Sequence, residues 1–196
     1  MQRRGSSYAV YVSGRAGMEE MRMKEKLESL FDFRMIKKEE ADKAVSLEHA
    51  CFPPDEQLPD EAVRERVENI PEMVLIANHK ELNELAGMIN STLTNDSEFN
   101  DSFFTDLSTH DPNGMNVMIT GLEVHPKYQG KGLGTYLMKR YLTMMKEQGR
   151  KRAVLTCTKD KIRMYEKMGF RDSGISKSTY GNEIWHEMEC LLENEG

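Results

Sequence analysis

The sequence predicts a single domain of the α/β or α+β class, with helices packed on a mixed sheet. Apolar residues fall into short runs of strand length, as in Val117 to Val124 and Ala153 to Cys157. Between these runs lie segments with helical spacing, such as Leu133, Leu137, Tyr141 and Met144. Strands and helices alternate along the chain, which is the pattern of a sheet covered by helices. The 196 residues amount to one domain at roughly 150 residues per domain, large enough to bury a core without disulfide or metal staples.

Residues 1–17 carry Gly, Ser and Arg without periodicity and read as a loose leader, followed by an amphipathic helical lead-in over 18–32 on Met23, Leu27, Leu30 and Phe31. The domain proper is expected over 33–192. Phe33 to Ile36 is a short strand, and Lys38 to Ala50 a helix with Ala41, Ala44 and Leu47 on one face. Prolines at 53, 54 and 59 exclude helix from the next stretch, and Pro59-Asp60-Glu61 opens the following helix. Met73 to Ala77 and Leu85 to Ile89 are strands. Thr92 to Gly114 is polar and acidic, and reads as a long functional or unstructured loop that nevertheless holds Phe103 and Phe104. Val117 to Val124 is a strand, the helix from Leu133 ends near Gly149, and Ala153 to Cys157 is a strand. A short helix from Lys159 to Met168 stops at Gly169. Ile184 to Leu191 closes the chain as a strand.

Composition excludes several functions. With 33 acidic against 27 basic residues and a formal charge of −6, the chain is not built to grip nucleic acid. The run Arg150-Lys151-Arg152 complements a helix C-terminus. No apolar run reaches the ~18 residues of a membrane span. Cys51, Cys157 and Cys190 have no zinc or redox spacing and read as reduced thiols, an expectation of cytoplasmic residence. No histidine spacing suits zinc, and no metal is expected.

The segment from Leu122 to Thr135, LEVHPKYQGKGLGT, carries the most chemistry. A strand ends at Val124 and a helix begins among closely spaced glycines. Glycines admit close backbone approach to a bulky anion, and the free N–H groups and dipole of a helix start attract phosphate. A P-loop would need Gly at 125 and Ser or Thr at 132, where His125 and Gly132 stand. A dinucleotide fingerprint would need Gly at 135, which is Thr135.

Gln129-x-x-Gly132-x-Gly134 resembles the Q/R-x-x-G-x-G/A signature of GNAT-type N-acetyltransferases. Leu122-x-Val124-x-Pro126 resembles that family's strand beside the pantetheine arm, and Tyr165-Glu166-Lys167-Met168-Gly169-Phe170 its Y-E-K-x-G-F ending. The resemblance covers about Phe33 to Leu192. It implies a central, mostly antiparallel mixed sheet and acetyl-CoA as co-substrate. It further implies that Leu122, Glu123, Val124, Gln129, Gly130, Lys131, Gly132, Leu133, Gly134, Thr135 and Thr156 hold the cofactor. Tyr165 is then the general acid that protonates the leaving thiolate, with the Val124 N–H on the thioester carbonyl oxygen.

Within that superfamily the chain is most similar to the arylalkylamine N-acetyltransferases. Ile70-Pro71-Glu72-Met73, Arg140-Tyr141-Leu142, the spacing of Cys157 to Tyr165 and the ending Met188-Glu189-Cys190 carry this. The resemblance implies a small amine acceptor, an aromatic pocket of Phe52, Pro59 and Trp185, and a monomer or homodimer with no nucleic-acid or membrane partner. The chain departs from the group at one point. Met118 and Thr120 stand where the animal enzymes carry a histidine pair, and neither can take a proton. His125 belongs to the loop structure. Asp55, Glu56 or an acid of the 92–114 segment could anchor a proton relay through water, and no single base is identified. Two alternatives accompany this reading: a polyamine or peptide acceptor suited to the acidic loop, and a silent acyl-CoA-binding module, against which Tyr165 argues.

Overall fold

The computed structural model describes residues 7–54 and 56–192. A long helix α1 (Ser7–Leu30) leads into strand β1 (Phe31–Met35). A 3-10 turn at Lys38–Glu40 precedes α2 (Ala41–Cys51), and α3 (Asp60–Asn69) follows the proline-rich loop. Strands β2 (Val74–His79), β3 (Leu85–Thr94) and β4 (Asn116–Val124) come next, with the short helix α4 (Ser102–Thr105) between the last two. The chain ends with α5 (Leu133–Glu147), β5 (Arg152–Cys157), α6 (Ile162–Glu166), β6 (Arg171–Ile175) and β7 (His186–Leu191).

The seven strands form one sheet in the order β1-β2-β3-β4-β5-β7-β6. Every pair is antiparallel except β4 with β5. Helix α5 buries Leu133, Leu137, Met138, Tyr141, Leu142 and Met145, a stripe at three- and four-residue steps, against one face of the sheet. Ala77, Ile89, Val117, Leu155 and Met188 meet it there. On the other face, Ala44, Val45, Leu47, Val63 and Val67 of α2 and α3 pack on Val74, Ile76, Leu85 and Met88. The start of α2 is pinned to β1 by Arg34, whose two guanidinium nitrogens donate to Glu40 at 2.7 and 2.8 Å. This pairing holds the Glu40 carboxyl down at about 2.

The structure corrects five expectations. Residues 7–17 are part of α1 rather than a loose leader, while residues 1–6 lie outside the described residues. The sheet begins at Phe31, which is buried against Tyr128 with ring centroids 5.3 Å apart. The 92–114 stretch is not unstructured: β3 runs on to Thr94, and the remainder buries Phe99, Phe103 and Phe104 against Met118 and Val154. Phe103 and Phe104 lie on the single turn of α4, and Phe99 joins them from the preceding segment. The seventh strand, β6, has an exposed pattern with no apolar alternation for a reader to detect. Because β7 begins at His186, Trp185 precedes the strand and has no place in its alternation.

Phe103 is fully buried. Phe103→Ala is therefore expected to lower the unfolding free energy by about 3–5 kcal/mol, the range for a truncated core phenylalanine. Denaturant titration measures this, and a loss well under ~1 kcal/mol would show that the segment adds nothing to the core.

Candidate active site

Strands β4 and β5 pair only at Asn116↔Arg152, Val117↔Ala153 and Met118↔Val154. Beyond Met118 they part, and β4 keeps only β3 as a neighbour. His125 N donates to Ala86 O of β3 at 2.9 Å. Alternation in an antiparallel ladder then turns the Val124 N–H and C=O away from β3, into the gap. Gln129 Nε2 donates to that carbonyl at 2.9 Å, so the first residue of the glycine signature ties the loop back to the strand end. The Val124 N–H lies within hydrogen-bonding reach of the Cys51 thiol, at the end of α2. Burial pushes that thiol up to about 12, and it stays protonated.

The loop from Val124 to α5 is stiffened by Tyr128, which is buried on Phe31 and hydrogen-bonded to Glu84. Gly132 sits just before α5 with φ +83, and no side chain caps the helix. The amides of Leu133, Gly134 and Thr135 belong to the first turn, where helix geometry provides no internal acceptor. An uncapped helix start beside the open end of β4 fits the pyrophosphate and thioester ends of acetyl-CoA. Lys131 Nζ donates to Lys127 O at 2.9 Å and is exposed beside the loop. Met23 of α1 approaches Gly132 closely enough that an added Cβ would meet its Sδ at 2.5 Å. Gly130 is also left-handed, at φ +71. Thr156 lies on β5 beyond the paired stretch, opposite Glu187 of β7.

A β-bulge re-aims the far half of β4. The register passes from Asn90↔Gly121 to Ser91↔Ile119 and leaves Thr120 unpaired, so the facing of side chains changes phase there. Leu122 and Val124 pack with the α5 core. Glu123, expected to serve the cofactor through its backbone, sends its side chain to the α2–α3 face. There it meets Glu48 of α2, both only 2% exposed, with the two carboxyls within hydrogen-bonding reach of each other. Burial and the neighbouring Glu48 push the Glu123 carboxyl well up, and burial raises Glu48. Asn90 Nδ2 donates to Glu123 Oε1 at 3.3 Å, and Thr120 Oγ1 donates to Asn90 Oδ1 at 2.5 Å. The chain of contacts thus runs from the strand position of Thr120 to the carboxyl pair.

Tyr165 is buried beside Cys157 and Phe170, with its ring 5.9 Å from that of Phe170. Burial pushes its phenol up, so it is protonated at neutral pH. Phe52 and Pro59 flank Leu58, and it is Leu58 that reaches inward, donating its N–H to Glu48 Oε1 at 2.7 Å. Trp185 Nε1 donates to Tyr180 O at 2.8 Å. Tyr180 stacks near Phe104 at 4.8 Å and reaches Gln57 O at 3.5 Å. Gln57 Nε2 donates to Phe52 O at 2.8 Å, which links Phe52 through Gln57 and Tyr180 to Trp185, while Pro59 stands at the start of α3. Met118 is fully buried in the Phe99–Phe104 cluster and Thr120 is bonded to Asn90, so neither presents a base. Of the suggested carboxylates, Glu56 is exposed and Asp55 lies outside the described residues. Sequence reading missed Glu48 altogether, and its signal was faint: one glutamate on the otherwise apolar face of α2 with Ala44 and Leu47.

Gly132→Val forces a β-branched residue into a left-handed conformation and fills the space above the helix start. Acetyl-CoA affinity is expected to fall at least tenfold with the far-UV circular dichroism retained, on the order of the ~1–3 kcal/mol such backbone strain costs. Calorimetric titration checks this, and parent-like affinity in the folded variant would refute the loop as the cofactor site.

The comparisons agree with this geometry. A family model described as "Acetyltransferase (GNAT) family" matches residues 41–170. Serotonin N-acetyltransferase of Mesocricetus auratus is 34% identical over 87 residues, covering 44% of this chain and 42% of that protein. The chain thus matches about two fifths of that relative's length. Among solved structures, the loading GNATL domain of CurA from Lyngbya majuscula superposes with TM-score 0.73 at 16% identity over 83% of this chain and 98% of that one. The GphF GNAT-like decarboxylase in complex with isobutyryl-CoA follows with TM-score 0.69 at 17% identity, over 83% and 100%. With its sheet parted at β4 and β5, its uncapped α5 and its glycine signature, the chain belongs to the GNAT acetyltransferase family.

Proposed function

We propose that the protein transfers the acetyl group of acetyl-CoA to a small primary amine, an arylalkylamine in the first instance. The observation that carries this reading is the Val124 N–H, turned away from β3 at the end of β4, beside the uncapped start of α5. A preorganised N–H aimed where the carbonyl oxygen gains charge lowers the barrier of acyl transfer. The thioester carbonyl lies against the Val124 N–H, with the pyrophosphate on the amides of 133–135 and Lys131 supplementing their charge. The amine arrives from the α2–α3 face, between the Phe52–Pro59 loop and the segment bearing Tyr180 and Trp185. Its nitrogen lone pair attacks the carbonyl carbon, the C–S bond breaks, and Tyr165 donates its phenolic proton to the departing thiolate.

The acidic segment, which by charge alone would suit a polycation, is largely engaged in local structure. Glu98 pairs with Lys177, Asp101 accepts from Thr179 N at 3.1 Å, Asp106 from Ser108 N at 2.9 Å and Asp111 from Asn113 N at 2.9 Å. This favours a small aromatic amine over spermidine.

Two measurements test the reading. Tyr165→Phe is expected to bind acetyl-CoA normally and to slow single-turnover acetylation on the order of ~10²-fold, the usual contribution of a positioned acid. Unchanged single-turnover chemistry would remove Tyr165 from the mechanism. Tryptamine and phenethylamine are expected to be better acceptors than spermidine or a short peptide, with Trp185→Ala reducing the preference several-fold, as the loss of roughly 0.5–1.5 kcal/mol of stacking requires. A parent enzyme that prefers spermidine or peptide would overturn the aromatic acceptor.

A further inference from the structure

The glutamates at 48 and 123 are costly to bury, and the mechanism so far does not use them. Glu123 Oε2 has no hydrogen-bond partner although the side chain is 2% exposed. Glu123 and Glu48 line a cavity that gives a water's centre about 10 Å³, room for one water. Leu58, Val63, Val67 and Met88 supply its apolar wall. Two negative charges this close cannot both persist in such surroundings, and one proton shared between the carboxyls satisfies Oε2 and leaves a single charge.

A single cation faces that charge from α3. Arg66 is 3% exposed and donates to Ser91 O at 3.3 Å and to Phe103 O and Phe104 O at 2.8 and 3.1 Å. Its hydrogen bonds all go to backbone carbonyls, so it balances the pair's charge without consuming the carboxylate's lone pairs. The other titratable groups facing the pair are Cys51 and His49 from α2 and Tyr180 from the β6–β7 connection. Cys51 also joins the pair to the reaction centre, since its thiol lies against the Val124 N–H. Gly121, on the same face of β4, is kept bare: an added Cβ would stand 2.7 Å from Asn90 Nδ2 and 3.0 Å from Glu123 Oε1. The bulge at Thr120 is what delivers Glu123 to this side.

We propose that Glu48 and Glu123, sharing one proton, are the base that accepts the proton of the incoming ammonium group, in place of the histidines that Met118 and Thr120 replace. This rests on the amine-acetylating reading above. The ammonium N–H bond breaks, its proton passes directly or through one water to the monoanionic pair, and the nitrogen keeps the electron pair that attacks the thioester. The amide nitrogen's second proton restores Tyr165, and the pair, now neutral, returns its proton to solvent.

The test compares two acceptors of similar shape. Phenethylamine is an ammonium ion at neutral pH, with a pKa near ~10 like lysine, whereas phenylhydrazine is already neutral. Glu123→Gln and Glu48→Gln are expected to slow phenethylamine acetylation on the order of ~10²-fold in kcat with KM for acetyl-CoA unchanged, and to spare phenylhydrazine. The acid limb of the parent's kcat/KM profile with phenethylamine is expected to disappear in both variants. The parent should also lose thermal stability as pH rises from the ordinary carboxylate range through the pair's raised pKa, and Glu123→Gln should lose less, since only the burial of Glu48 then remains. Equal losses on both acceptors would make the pair merely structural and overturn the proposal, as would parent-like turnover of phenethylamine. A parent that binds acetyl-CoA yet acetylates neither compound nor any other amine would overturn the acetyltransferase reading itself, and the pair's role with it.

Discussion

A strand that loses its neighbour must find other partners for its backbone or leave it exposed. Strand β4 faces this choice after Met118, where its pairing with β5 stops. Up to that point its groups are shared between two neighbours. Beyond it, the N–H and C=O that alternate away from β3 have no strand to meet. Gln129 takes the Val124 carbonyl and Cys51 approaches the Val124 amide. The rest of the active side follows from that parting. Helix α5 starts beside the gap with its first amides uncapped, and α2 ends on the opposite side.

The bulge at Thr120 adds a second constraint. One extra residue in β4 changes which side chains face which layer, so Leu122 and Val124 join the α5 core while Glu123 crosses to α2 and α3. Removing a carboxylate from water costs several kcal/mol even after relaxation. The fold tolerates this by placing Arg66 nearby and by letting a second carboxyl share a proton. A stability-optimised chain would carry an apolar residue at 123 beside Met88. Retaining two acids there is the kind of local conflict that marks a functional position.

Much of this architecture was legible in the residues. The α5 stripe, the Gly132 turn, the strand ending at Val124 and the proline start of α3 each follow from local patterning, and the glycine signature pointed to the family. What escaped reading was non-local. No periodicity marks the polar strand β6. The 92–114 segment looked unstructured because its polar residues outnumber Phe99, Phe103 and Phe104, which have meaning only once Met118 and Val154 are opposite them. Glu48 and Glu123 lie 75 positions apart, and only the bulge and the crossing of α2 over β4 bring them together. Register slips of one residue leave no mark on composition, so Glu123 read as a backbone contributor to the cofactor site.

The central claim is that the freed Val124 amide and the first turn of α5 act on opposite ends of the same ligand. Amide nitrogen–proton spectra recorded while titrating acetyl-CoA, and then CoA without its acetyl group, test this directly. The account predicts that Leu133, Gly134 and Thr135 shift with both ligands, while Val124 moves strongly only when the acetyl group is present. Shifts centred elsewhere, with Val124 equally indifferent to both, would contradict it.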